Sequence, residues 1–294
     1  MIVLKTSLLN CITTMLLITL FSFNSNAVDI VKLQLQQMSE NKAAHNTEVI
    51  RRALEITESE FGAFRLDKIN TTMSSARMLQ SLIEGSLINT VIVPASDLWD
   101  KHTISVKVPV RLGLLSYRLL LINKSDLSKF EKINTLDELK AIPVGLHKGW
   151  VTTKLFNLNA FNVIETGHFE GLFLMLNRYR FDYIPRGVYE VYDEVASRQD
   201  VLKDIVVEPT IALFIPTMSY VNVSPTDPKI AKRLASGLLQ LQNNGELKKI
   251  LHKYYGNDIK RANLKNRKVF EINHQNFSPH DKLNYEILLE NFNN

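Results

Sequence analysis

The chain has 294 residues, 45% of them hydrophobic and 22% charged, and these proportions exclude collagen-like, low-complexity and largely disordered proteins. The length allows one large domain or two of ordinary size. The formal net charge of +5 is too small to indicate nucleic-acid binding by itself. The excess is local, because eight basic residues lie between Glu246 and Lys268 beside only two acidic ones. A solvated face of a terminal helix and a contact with an anionic partner both explain this cluster.

The first 27 residues have the three-part pattern of a secretory signal peptide. Lys5 is their only charge, an apolar stretch follows from residue 8 to residue 23, and Ser25-Asn26-Ala27 places small residues before a cleavage site. Retention as a membrane anchor is the alternative. The apolar stretch is short for a span, which needs roughly 20 residues, and Asn10 interrupts it.

We therefore predict that residues 1–27 are a cleaved signal peptide and that the mature protein begins at Val28, in the periplasm. Cys11 is the single cysteine of the chain. Because cleavage would remove it, the mature protein is expected to have neither disulfides nor a thiolate nucleophile.

Strand and helix patterns alternate at the start of the mature chain. Strands are predicted at 29–35, 64–70 and 90–94, and helices at 46–61 and from a cap at Ser74 or Ser75 to Gly85. The order is β-α-β-α-β, which indicates a mostly parallel sheet between two layers of helices.

A second unit of the same type follows residue 117. Its predicted strands are 119–122, 143–147, 181–185 and 205–207, and its helices are one opened by the capping box at 135–138, then 152–158, 170–179 and 188–197. After a strand at 219–223, one helix begins at Asp227-Pro228 and another spans 246–255. Residues 256–294 are predicted to be an irregular extension.

Four segments carry a resemblance to a known family. They are Asn134-Thr135-Leu136-Asp137-Glu138-Leu139-Lys140 with Pro143-Val144-Gly145, His147-Lys148-Gly149-Trp150 with Thr152 and Thr153, Arg180-Phe181-Asp182-Tyr183, and Asp227-Pro228 through Asn244-Gly245 to Tyr254-Tyr255. In this order they resemble the family 3 extracellular solute-binding proteins, the periplasmic proteins that serve polar amino acids. The resemblance covers roughly residues 29 to 256.

The resemblance implies two three-layer α/β lobes joined by a two-strand hinge, with the ligand between them. Lobe 1 is predicted to consist of residues 28–117 and 217–294, including the extension 256–294, and lobe 2 of residues 118–216. The two crossovers are expected near 113–118 and 211–219, as the only covalent links between the lobes. Closure of the hinge would trap the ligand, because only the closed state lets it touch both lobes.

Arg186 is the first candidate ligand-binding residue. By the resemblance, it stands about four residues beyond Asp182, where amino-acid binders of this family hold the ligand's amino group with an Asp. A guanidinium there would repel an ammonium group and favour a carboxylate or phosphate. The alternative is that Arg186 pairs with Glu190 along the following helix. The family's carboxylate-binding Arg has no counterpart between residues 95 and 102, so a cleft that no longer binds a solute is also conceivable.

The other candidates follow predicted strands of the two lobes. They are Trp150, Thr152 and Thr153 at a helix N-terminus, Ser96 and Trp99 after the third strand, and Arg118 in the first crossover. Helix capping by Thr152 and simple packing of Trp99 are the alternatives. The carboxylates of Asp182, Glu190, Asp193 and Glu194 are interpreted as a strand end and an exposed helix face.

Enzyme motifs such as G-x-S-x-G and H-E-x-x-H do not occur, and no two of the seven histidines lie within five residues of each other. We therefore predict a non-enzymatic solute-binding protein with no cofactor and no metal. Its expected partners are a small polar ligand, with an anion as one option, and an ABC-type membrane transporter or a sensor protein, without nucleic acid, and the protein is expected to be a monomer. A periplasmic sensory or interaction module of the same fold is the main alternative, and a dehydratase-like enzyme is a further one.

Overall fold

The computed structural model describes residues 28–36 and 38–272. The predicted signal peptide and the last part of the predicted extension, 273–294, lie outside the described residues. Among the helices of the described part, none is both long enough and apolar enough to cross a membrane.

The first part of the described chain contains β1 (Asp29–Gln34), α1 (Glu40–Glu55), α2 (Glu58–Phe61), β2 (Phe64–Ile69), α3 (Ser75–Glu84), β3 (Thr90–Pro94), α4 (Asp97–His102) and β4 (Ile104–Val106). The side chain of Ser39 accepts a hydrogen bond from the Lys42 N–H, so α1 begins six residues before the predicted start at residue 46. Ser74 caps α3 in the same way, and Gly85 ends it in the left-handed conformation, as predicted.

The second part contains β5 (Tyr117–Asn123), α5 (Leu127–Glu131), α6 (Leu136–Ala141), β6 (Val144–His147), α7 (Val151–Leu158), β7 (Val163–Thr166), α8 (Phe169–Asn177), β8 (Tyr183–Gly187), α9 (Val188–Ala196) and β9 (Ile205–Phe214). Both hydrogen bonds of the predicted capping box are present at the start of α6, between Thr135 and Glu138. The third part contains β10 (Ser219–Val223), α10 (Pro228–Asn243), α11 (Glu246–Ala262) and β11 (Lys268–Glu271).

These elements form two mixed sheets. The first has the strand order β2-β1-β3-β10-β4, and the second has the order β11-β9-β5-β8-β6-β7. In the first sheet β1 is parallel to β2 and β3, whereas β10 is antiparallel to β3 and β4. Two mixed sheets with intervening helices agree with the predicted fold class of two α/β lobes.

Two of the crossings between the sheets lie near the predicted positions, and they are hydrogen-bonded to each other. The first runs from β4 to β5 and the second from β9 to β10. The carbonyl of Ser116 accepts from the Ile215 N–H at 2.8 Å. The hydroxyl of Ser116 accepts from the Thr217 N–H at 3.0 Å and donates to the Thr217 carbonyl at 3.1 Å. Because β9 runs to Phe214, the second crossing is shorter than the predicted 211–219.

A third crossing departs from the prediction. Residues 256–271 are not irregular: α11 continues to Ala262, and β11 pairs in parallel with β9, from Lys268 opposite Ile211 to Glu271 opposite Phe214. The chain therefore returns from the first sheet to the second. The expectation of only two covalent links was wrong, and β11 lies in the sheet of lobe 2 rather than in lobe 1. We call residues 263–272 the strap.

Two residues of the basic C-terminal cluster hold the strap in place. Arg267 donates from Nε to the Ala262 carbonyl at 2.5 Å and from Nη1 to the Ile211 carbonyl at 3.0 Å. Lys268 donates from Nζ to the Glu131 carbonyl at 3.1 Å. Ile272 is 1% exposed, and its N–H donates to the Phe214 carbonyl at 2.9 Å. Arg267 and Lys268 therefore stabilise the fold. For the other basic residues of the cluster, a solvated helix face and a contact with an anionic partner both stay open.

We expect Arg267→Ala to lower the free energy of unfolding by about 2 kcal/mol, since it removes hydrogen bonds from a charged donor to buried carbonyls. It should also speed hydrogen exchange at the Ile272 amide. Urea unfolding and exchange followed by mass spectrometry measure the two effects. Lys265→Ala, an exposed change in the same strap, is the control and should stay within about 0.5 kcal/mol of wild type. Equal exchange in both variants would contradict the anchoring role of Arg267.

Candidate ligand-binding site between the lobes

The beginnings of α1 and α9 face each other where the two lobes meet. Lys42, in the first turn of α1, pairs with Glu190, in the first turn of α9, with 3.3 Å between Nζ and Oε1. The ammonium of Lys42 also lies 5.4 Å from the centre of the Tyr189 ring. This contact between lobes marks the region in which the resemblance places the ligand.

Arg186 lies near the end of β8 and is 6% exposed. It donates to both carboxylate oxygens of Glu194, from Nε at 2.6 Å and from Nη2 at 2.5 Å, and its Nη2 lies 3.2 Å from Glu190. Its guanidinium also stacks 4.6 Å from the centre of the Trp150 ring. The contact with Glu190 is the alternative that the sequence offered. The ligand role of Arg186 stays a prediction, and two carboxylates already face this side chain.

The sequence pattern predicted an exposed helix face for Glu190 and Glu194, and the structure contradicts this. Their side chains are 12% and 14% exposed. Burial alone would raise the pKa of Glu190, but the charges of Arg186, Lys42 and Arg118 hold it well below the usual range. The exposed-face interpretation failed because β8 turns directly into α9, which brings the first turns of this helix back over Arg186.

The remaining lobe-2 candidates surround Arg186 or support its neighbours. Trp150 is half-buried at the start of α7, against Arg186 and Phe169. Thr153 donates its hydroxyl to the His147 carbonyl at 2.8 Å, which leaves that proton unavailable to a ligand. Thr152 is buried at 8% exposure.

The lobe-1 candidates lie elsewhere in the described structure. Ser96 precedes α4 and makes no side-chain capping bond, and Trp99 packs against the small apolar cluster that contains Met73 and Leu82. No described contact joins them to Arg186 or Glu190. Packing was the alternative interpretation for Trp99, and the observed contact is of that kind.

Arg118 lies in β5 opposite Gly187 and is 5% exposed. Its Nη1 is 3.8 Å from Glu190, beyond hydrogen-bonding distance. Its Nε has no hydrogen-bond partner among the described residues. Burial lowers the pKa of Arg118, which shows that the nearby carboxylates compensate its charge incompletely.

Arg111 is a site residue that sequence reasoning missed. It lies in the first crossing, is 2% exposed, donates from Nη2 to the Asn46 side chain, and stacks 4.7 Å from the centre of the Tyr189 ring. Its Nε has no partner in the described part of the chain. The signal was available, because Arg111 interrupts the apolar run from Val108 to Leu115. Such a cation needs either a burial partner or a function.

We call six charged residues at this place the junction cluster: Lys42, Arg111, Arg118, Arg186, Glu190 and Glu194. Four cations and two carboxylates leave an excess of two positive charges. His45 adds none, because burial and the charge of Arg111 keep its pKa well below the ordinary value. The geometry is suited to holding an anion, and the described residues contain no cluster of three or more metal-ligating groups.

Asp258 of α11 lies across from Asp193 of α9. Burial and the charge of Asp193 raise the pKa of Asp258 to about 6, against the opposing effect of Arg261. The folded protein therefore holds this proton more tightly than the unfolded chain does. The associated stability is complete below about pH 4, the value for an unperturbed Asp, and is lost as the pH rises through about 6.

Asp258→Asn should accordingly stabilise the protein at pH 7.5 by about 1 kcal/mol, allowing for the half-exposed position, and change little at pH 4. Urea unfolding at both pH values measures the difference. Asp200→Asn, at an exposed position, is the control. A stabilisation of the same size at pH 4 and pH 7.5 would show that the effect is not electrostatic.

A surface cavity of about 400 Å³ lies between α1 and α11, lined by Glu48, Asn244, Glu246, Lys249, Ile250 and Lys253. None of the predicted site residues or junction-cluster residues lines it.

Comparison with known proteins finds similar solved structures. No family model matches the sequence, and no curated protein matches it. An ancestral arginine-binding protein bound to arginine is 14% identical, with a TM-score of 0.56, and the match covers 77% of this chain and 98% of that one. An amino-acid ABC transporter substrate-binding protein from Streptococcus pneumoniae, bound to L-arginine, is 13% identical, with a TM-score of 0.55 and coverages of 77% and 94%.

A histidine kinase sensor domain with similarity to periplasmic binding proteins is also similar in structure to this chain. It is 14% identical, with a TM-score of 0.55, and the match covers 78% of this chain and 96% of that one. At such low identity these structures establish the bilobed fold, and they confirm the predicted resemblance at that level.

Proposed function

We propose that this protein is a secreted, non-enzymatic solute-binding protein that captures a small anionic ligand between its lobes for an ABC-type transporter. The observation that carries the proposal is the junction cluster, which places an excess of two positive charges where two lobes of a binding-protein fold meet. Burying a cation without a full set of partners is costly. An anion at this place would offset that cost.

Capture follows from the arrangement of the cations. Lys42 belongs to lobe 1, whereas Arg118 and Arg186 belong to lobe 2. An anion held by both sides stabilises the closed state over an open one, because only the closed state gives it every contact. In the described state Glu190 fills this bridging role, by pairing with Lys42 and with Arg186.

The test is thermal unfolding of the secreted protein with a panel of acidic, zwitterionic and basic solutes. A solute that binds the folded state raises the melting temperature, and the stabilisation grows with the logarithm of its concentration relative to its Kd. We expect acidic solutes to do so. Arg77→Ala, at an exposed position of α3, is the control and should respond as wild type does. Stabilisation by basic solutes alone would contradict an anionic ligand.

A periplasmic sensory module is the second candidate function, and the strap is the observation that favours it. A third link between the lobes restricts the opening that rapid solute delivery requires, whereas a sensor needs only a change of shape. The sensor domain of the same fold is consistent with this alternative. Loss of ligand uptake in a deletion strain would favour transport. Intact uptake with loss of a ligand response would favour sensing.

Secretion rests on the pattern of residues 1–27. N-terminal sequencing of periplasmic protein should give Val28 as the first residue. Protein found only in membranes, with Met1 still present, would contradict cleavage.

A further inference from the structure

Two guanidinium groups of the junction cluster are incompletely hydrogen-bonded within the described residues. Arg111 and Arg118 are 2% and 5% exposed, and the Nε of each has no hydrogen-bond partner among the described residues. No described carboxylate forms an ion pair with Arg111, and Arg118 has only Glu190, at 3.8 Å. Buried polar groups are nearly always hydrogen-bonded in native proteins, so two orphaned donors in one place require an explanation.

Arg186 provides an internal comparison. It is buried to the same degree, yet it has two hydrogen bonds to Glu194 and a close contact with Glu190. The fold can thus compensate a buried guanidinium fully at this junction. Arg111 and Arg118 each keep an Nε without a partner among the described residues, and Arg118 has no carboxylate within hydrogen-bonding distance.

The two groups belong to one site. Arg111 stacks on Tyr189, and the charges of both Arg111 and Arg118 act on the Tyr189 hydroxyl. Glu190, the next residue, pairs with Arg118. Arg111 comes from the crossing between the lobes and Arg118 from the first strand of lobe 2. Both residues therefore lie beside the hinge.

From this geometry we infer that Arg111 and Arg118 together anchor a small dianion, a dicarboxylate or a hydrogen phosphate, and this inference rests on the proposed function. A planar guanidinium matches two oxygens of a carboxylate or phosphate, and two such groups match two negative charges. A dianion also equals the excess of two positive charges in the junction cluster. Entry requires α1 and α9 to separate at the Lys42–Glu190 ion pair, which is the more exposed part of the cluster.

The experiment uses the secreted full-length protein with sodium succinate, inorganic phosphate, sodium acetate and L-glutamine at matched ionic strength. Calorimetric titration gives the Kd, and thermal unfolding gives the melting temperature. We expect succinate, phosphate or both to bind, and acetate to bind at least tenfold more weakly. Binding of succinate alone assigns the site to dicarboxylates, and binding of phosphate alone assigns it to phosphate.

Arg111→Gln and Arg118→Gln should each weaken dianion binding at least tenfold. Without a ligand, Arg118→Gln should leave the melting temperature unchanged or raise it, because it removes an incompletely compensated buried cation. Arg186→Gln should do the opposite to the unliganded protein and lower its melting temperature, since it leaves the buried carboxylate of Glu194 without its ion-pair partner. Arg118→Lys keeps the charge and should still lose affinity, because an ammonium cannot make the planar two-point contact.

One result would overturn the inference and leave the proposed function standing, namely dianion binding of unchanged affinity in both glutamine variants. Binding of glutamine alone would overturn both the inference and the anionic-ligand proposal. If no solute of the four binds the wild-type protein, both the inference and the anionic-ligand proposal fail. Arg77→Gln serves as the exposed control throughout.

Discussion

Gly237→Ala should lower the free energy of unfolding by about 3 kcal/mol, near the upper end for an overpacked core. Gly237 lies in α10 where this helix crosses α1, and a Cβ there would sit 2.1 Å from the carbonyl oxygen of Ala53. The obstacle is backbone of a neighbouring helix, so no side-chain rotation relieves it. Helices α1 and α10 would have to move apart. Urea unfolding measures the loss.

Gly256→Ala is the matched control, also in the interior of a helix. A Cβ at Gly256 meets only the His252 side chain, at 3.8 Å, which is ordinary contact. Alanine is a better helix former than glycine, so this change should stabilise the protein by about 0.5–1 kcal/mol. The two changes are chemically identical and should have opposite signs. Similar destabilisation by both would mean that the close helix crossing is not the cause.

Asp29→Ala should cost about 3–5 kcal/mol, the usual range for breaking one side of a buried ion pair. Asp29 is the second residue of the predicted mature chain, and its Oδ2 lies 2.8 Å from Nη1 of Arg233, which is 0% exposed. Arg233 also donates to the Leu54 carbonyl at 2.9 Å, so it cannot move to solvent without losing other bonds. Thermal and urea unfolding both report the loss.

The control for Asp29→Ala is Asp67→Ala, in an exposed Asp–Arg pair. Asp67 lies 3.0 Å from Arg65, whose side chain is 61% exposed, and such pairs contribute less than about 1 kcal/mol. Replacing Arg233 by Met in the Asp29→Ala background should restore part of the lost stability, since no uncompensated charge then remains buried. A double variant as unstable as the sum of the two single changes would argue against this coupling.

The features that were predictable from the sequence are those with causes within a few residues. The capping box at Thr135 and Glu138, the left-handed Gly85 and the proline at the start of α10 each act through neighbouring backbone groups. The early start of α1 was missed because the residues after Ser39 are polar and show no apolar repeat. Ser39, as a helix N-cap, was the only sequence feature that indicated this start.

The site was less predictable, because its contacts join distant parts of the chain. Arg186 and its partner Glu194 are eight residues apart, and Lys42 meets Glu190 across 148 positions. Side-chain patterns within one element do not encode such pairs. Arg186 was identified as a candidate ligand-binding residue, but the number of carboxylates that face it depends on how α9 returns over β8. Arg111 was open to detection from its apolar surroundings alone.

The strap also determines what the second sheet presents to solution. Residues 211–214 of β9 are buried, at 0–3% exposure, and the four residues of β11 pair in parallel with them along one side. A chain that stopped after α11 would leave those N–H and C=O groups unpaired along an apolar strand. Such an edge is a template for strand addition from another molecule. The strap therefore covers this apolar strand, and β11 takes its place as the edge of the second sheet among the described strands.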